Sequence, residues 1–119
     1  MADEITVSIG LRCTNGNFVQ NPPTRTEKFD QTTALGSSLG VTIGTSEETI
    51  AWGDVAPGYV RMTNLDATNF VSFGVVTANL DFELEANGGM ALVKMATGAA
   101  LIMQADTADC NVLLEALNL

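Results

Sequence analysis

The chain has 119 residues, 46% of them apolar, with fourteen acids against five bases, no histidine and a net charge of −9. That length fits one domain able to bury its own core, and apolar residues recur along the whole chain, which excludes a disordered polypeptide. So acidic a surface repels phosphate, so neither nucleic acid nor an anionic membrane is expected as a partner. The missing histidine removes the commonest general base and zinc ligand, which turns the expectation away from enzymes.

The opening run EITVSIGLRC alternates. Ile5, Val7, Ile9, Leu11 and Cys13 fall on one side, and Thr6, Ser8, Gly10 and Arg12 on the other. Period two of this length predicts a strand with one buried face. Asn15-Gly16 predicts a tight hairpin turn, since both residues tolerate positive φ. The return strand FVQ is then cut by Pro22-Pro23, which cannot donate to a ladder. TRTEKFDQTT (residues 24–33) holds a short strand at most, and ALGSSLG (residues 34–40) reads as a flexible loop because Gly and Ser cluster there. Leu39, Val41 and Ile43 restore strand phase. SEE makes a polar turn around Glu47 and Glu48, with TIAWGD as the short partner carrying Trp52.

In GYVRMTNLDATNFVSFGVV (residues 58–76), Val60 and Met62 share one face. Val71, Phe73 and Val75 share another after the polar break NLDATN. Two alternating runs around such a break predict a β-hairpin. DFELE (residues 81–85) places Phe82 and Leu84 inward. ANGG supplies a turn, and MALVKM and ALIMQA are two further strands split by ATGA. The last segment, residues 107–119, admits a helix capped by Thr107 with Val112, Leu113, Ala116 and Leu117 as its stripe. It also admits a strand with Cys110, Val112, Leu114 and Ala116 in phase. The strand is preferred, pairing beside the first, because every earlier segment is a short strand. The sum is an all-β chain: one antiparallel, jelly-roll-like β-sandwich domain over residues 1–119.

No catalytic, cofactor-binding or metal-ligating set rises above this pattern. Asp81, Glu83 and Glu85 line one strand face, as a paired-carboxylate glycosidase or a calcium site requires, but a solvated sheet face has the same spacing and is preferred. Asp106, Asp109 and Asn111 are read as a turn, lacking the glycine and terminal glutamate of an EF-hand. Serines have no histidine, and nothing positions Lys28 or Lys94 as a substitute base. Arg12, Arg25, Lys28, Arg61 and Lys94 are scattered. Met62, Met90, Met95 and Met103 are expected to fill the core, and Trp52 and Tyr59 to pack rather than stack on a sugar. The start MADEITVSIG has no basic n-region or apolar h-region, so synthesis in a reducing cytoplasm is expected, with Cys13 and Cys110 as free thiols.

From residue 57 to about 115, the phrases PGYVRMTNLDATNFVSFGV and FELEANGGMALVKMATGAALIMQADTADCNV resemble small β-sandwich virion proteins of tailed bacteriophages. The resemblance covers about half the chain and carries no catalytic signature. It implies a virion structural protein, first of all a capsid decoration (cement) protein meeting the major capsid protein, as a trimer or dimer. A tail or baseplate accessory, including a glycan-binding module, is the alternative it leaves open.

Overall fold

The computed structural model describes residues 3–119 and contains twelve strands, with no helix among the described residues. The chain divides into two compact units, Met1–Thr32 and Thr33–Leu119. The sandwich occupies the second of them.

The first unit is a nested pair of hairpins. Strand β1 (Ile5–Ile9) pairs antiparallel with β4 (Arg25–Phe29), setting Ile5 opposite Phe29 and Ile9 opposite Arg25. Within their connection β2 (Cys13–Asn15) pairs with β3 (Phe18–Gln20). The expected first strand is shorter than its alternation, because Pro22-Pro23 lie in the break facing residues 10–12 and remove ladder donors. The turn also falls one residue later than expected, on Gly16-Asn17. Gly16 has φ +59° at the first loop position, the pattern of a type II′ turn. Among the described residues of this unit, only Ile5 is buried. Ile9, Leu11, Phe18 and Val19 are 54–74% exposed.

The second unit contains β5 (Gly36–Ile43), β6 (Glu48–Thr49), β7 (Pro57–Asn64), β8 (Val71–Gly74), β9 (Phe82–Leu84), β10 (Met90–Lys94), β11 (Ile102–Ala105) and β12 (Cys110–Asn118). They form two four-stranded antiparallel sheets, β10-β7-β12-β5 and β6-β11-β8-β9. The pairing is nested: β5 with β12, β6 with β11, β7 with β10, and β8 with β9. One long hairpin rolled on itself gives this order, and it is the jelly roll that the alternation suggested.

Rolling corrects several local expectations. The runs in residues 58–76 are not a hairpin. β7 and β8 lie in opposite sheets, and the break between them is an arch over the end of the core. The segment GSSLG is strand, not loop, because β12 offers it a complete ladder from Cys110↔Ile43 to Leu117↔Gly36. Its glycines also permit close approach, since a Cβ on Gly36 would lie 3.2 Å from the Ala116 carbonyl oxygen. The short strand after Glu47 pairs with β11 rather than β5. The C-terminal segment is the strand β12, paired with β5 and β7 and not with β1.

Inward phases of both sheets meet in one core. Val60, Met62, Val112, Leu114 and Cys110 face Val71, Met103, Ala105 and Leu84, each at most 2% exposed. Each large side chain so buried contributes about 1.5–3 kcal/mol relative to exposure. Met62, Met95 and Met103 fill this core as expected. Met90 does not: it is 72% exposed, on the outer phase of edge strand β10. Phe82 likewise lies 62% exposed on edge strand β9, stacked on Phe73 at 5.4 Å.

Candidate functional site

The loop NLDATN is built around Asn64, a polar residue in phase with Val60 and Met62 and fully buried. Its Nδ2 donates to the Asn69 carbonyl at 2.9 Å and lies 3.2 Å from the carbonyl oxygens of Leu84 and Glu85. Its Oδ1 accepts from the Asp66 amide at 3.0 Å. Asp66 in turn accepts from the amides of Asn69 (2.7 Å) and Thr68 (3.0 Å). These amides, Asn69's first, hold the Asp66 carboxyl below its ordinary pKa. The β11–β12 loop joins the same end, where the Thr107 hydroxyl donates to Asn69 Oδ1 at 2.8 Å. The phrases NLDATN and QADTADCNV are thus neighbours, and their polar atoms satisfy one another.

Asp81, Glu83 and Glu85 are all exposed, on and beside edge strand β9. Asp106 and Asp109 are exposed in the loop before β12, and Asn111 accepts from the Thr42 hydroxyl at 3.0 Å. Among the described residues, no group of three or more Cys, Asp or Glu is placed to hold a metal ion. Glu47 and Glu48 do more than decorate a turn. Glu48 accepts from the Gly44 amide at 2.5 Å, and Glu47 from the Ala78 amide at 2.8 Å, tying the loop before β6 to the loop after β8.

Two grooves open on the second unit. One, of about 320 Å³, is lined by Pro57, Gly58, Lys94, Thr97, Gly98 and Asn118 among others. The other, of about 290 Å³, is apolar, with Phe73, Phe82, Val93, Met95 and Leu101 in its walls. Lys94 is the titratable side chain common to both, and its Nζ donates to the Met95 carbonyl at 2.9 Å. Neither groove gathers paired carboxylates, and no serine lines either beside that lysine.

Trp52 packs on the core with its Nε1 enclosed and unpartnered, whereas Tyr59 faces outward from β7, so the two rings do not form a stacking platform. Cys13 is an exposed free thiol. Cys110 is a buried one, and burial, reinforced by the charges of Asp66, Asp106 and Asp109, pushes its pKa up and keeps it a thiol.

The chemistry-bearing side chains therefore serve loops and ladders, and the surface features left without an intramolecular use are of another kind. They include Ile9, Leu11, Phe18 and Val19 of the first unit, the exposed Leu65, Val75, Val76, Phe82 and Met90 of the second, and the free edges of the sheets. Alternation along residues 5–13 put Ile9 and Leu11 on one side but could not say that they stand uncovered, so sequence reasoning missed their exposure. No known protein family, curated protein or solved structure matches the chain.

Proposed function

We propose that this chain is a structural component of a tailed-bacteriophage virion, a capsid decoration (cement) protein that binds the assembled head through the major capsid protein and has no enzymatic activity. The observation that carries the reading is the first unit. Four large apolar side chains stand more than half exposed, Ile9, Phe18 and Val19 on two-stranded ribbons and Leu11 in the break between β1 and β2. A two-stranded hairpin is marginal in water by itself, and apolar side chains gathered on one gain most when a partner covers them. The rigid jelly roll beside it in sequence supports the same reading, since this architecture serves capsid and lectin domains, though fold alone does not choose between them. The packing of half-buried Trp52 on the core, with its Nε1 enclosed, weighs against the glycan-binding alternative.

The mechanism is mass action. A subunit that binds the closed shell and not its loose parts stabilises the shell, by about 2.7 kcal/mol per site at a hundredfold excess over Kd. Purified protein mixed with undecorated capsids of its own phage is expected to co-sediment and to raise their disruption temperature. A Leu11→Ser/Phe18→Ser variant is expected to lose both effects while keeping its own thermal stability. Absence of co-sedimentation by the native chain overturns the proposal.

A further inference from the structure

The second unit carries ten carboxylates against two cations, Arg61 and Lys94. Such a body repels its own copies almost everywhere. It also has four sheet edges, and three of them are blunted in the ways that stop strands from pairing with strangers. β6 is two residues long, β9 is three residues long with Glu83 at its centre and Asp81 and Glu85 at its ends, and β10 ends in Lys94. β5 is different. It runs eight residues, Gly36–Ile43, within a stretch from 31 to 46 that contains no charged side chain and no proline. Among the described residues its ladder partner is β12 alone, and no strand pairs with its other edge.

We infer that β5 is a self-association edge, pairing antiparallel with β5 of a second copy to form one continuous eight-stranded sheet. A second copy is the occupant because this is the one long edge an equally acidic body can approach without bringing carboxylates together. Symmetry restricts the register. An antiparallel match of identical strands places a two-fold axis normal to the sheet, which keeps inward faces with inward faces. Leu39 and Val41 must then meet inward residues of the partner, and Ser38, Gly40 and Thr42 outward ones. Only registers with a residue facing itself satisfy this, and Leu39 or Gly40 is the residue nearest the centre. The outward residues near that axis are small, so two main chains can close to ladder distance. The contact is isologous and stops at a dimer. Edge pairing of this length is small for an interface and gives a weak dimer by itself. This sharpens the trimer-or-dimer expectation that the resemblance carries and does not depend on what the dimer binds.

The test uses the full chain without capsids, so its failure and the failure of capsid binding are separable. Sedimentation equilibrium over about 1 µM to 1 mM, the span of weak interfaces, is expected to show concentration-dependent mass rising from 12.5 kDa toward twice that value. Gly40→Lys brings two ammonium groups to the axis, and a Cβ there meets nothing within 4 Å, so the fold accommodates it. That variant is expected to raise the dissociation constant at least tenfold with an unchanged circular-dichroism spectrum. Gly40→Thr, uncharged and a better strand former, is expected to dimerise at least as well as the native chain. Amides of residues 36–43 are expected to gain protection from hydrogen exchange as concentration rises. A monomer throughout, a Gly40→Lys dimer as tight as the native one, a trimer that survives Gly40→Lys, or protection of residues 36–43 independent of concentration each overturns the inference.

Discussion

The two units of this chain put the same alternation to opposite uses. In β12, Cys110, Val112, Leu114 and Ala116 are in phase and 0–1% exposed, because a second sheet lies over them. In the first unit Ile5 is covered, but Ile9, four residues on in the same phase of β1, is 54% exposed. Charge divides in the same way. The first 32 residues hold three of the five cations and are nearly neutral, whereas the jelly roll holds ten of the fourteen acids. Strand phase creates a hydrophobic face, and only a second layer turns that face into stability.

The sharpest way to probe this difference is to truncate one apolar side chain in each unit. Leu114→Ala removes a fully buried residue from the central strand β12 and is expected to cost about 2–5 kcal/mol. Phe18→Ser, at a 57% exposed site, is expected to change unfolding free energy by less than about 0.5 kcal/mol. Urea unfolding followed by far-UV circular dichroism, to which the strands of both units contribute, reads both. Equal losses would erase the distinction between the units.

A smaller effect is expected inside the jelly roll at Asn64. Replacing it with Ala strips the half-buried Asn69 carbonyl and the buried Leu84 carbonyl of a donor and the Asp66 amide of an acceptor. The expected cost is about 2–3 kcal/mol, the penalty of leaving buried polar groups unmade, and thermal unfolding measures it. Asn64→Asp keeps the Asp66 contact but loses the donor, so it is expected to recover only part of that loss.

The smallest expected effect is a pH dependence from Asp66. Its carboxyl is held below the ordinary value of 3.8 by the Asn69 and Thr68 amides. A depressed folded pKa contributes stability that is present above 3.8 and disappears as pH falls through the lower folded value. Acid titration of the native chain against Asp66→Asn is therefore expected to differ in steepness below pH 3.8, with the variant flatter. Superimposable curves would show that the Asn69 and Thr68 amides do not stabilise the Asp66 carboxylate.

Much of the jelly roll was legible because its signals are local. Val60 with Met62, Val71 with Phe73, and Cys110 through Ala116 name strands by their phase, whereas at residues 107–119 phase fitted helix and strand alike and the short strands before it favoured strand. Partners were less legible. A loop such as NLDATN has the length of a hairpin and of an arch alike, and what separates them is a tertiary fact: β10 and β12 occupy both edges of β7 and leave none for β8. GSSLG was lost for a related reason, since its strand character comes from β12 and not from its own propensities. Asn64 was within reach, because an amide in phase with Val60 and Met62 must be buried and must find partners. The exposure of Ile9, Leu11, Phe18 and Val19 was not, since nothing in a strand pattern says whether a second layer exists.

Native-state hydrogen exchange on the full chain tests the division of labour most directly. Amides of β7, β11 and β12 are expected to exchange at the rate of global unfolding, and those of β1 to β4 at least a hundredfold faster, through local opening. Uniform protection across residues 5–118, with a single exchange free energy, would show instead that the ribbons are as firmly held as the jelly roll and need no partner.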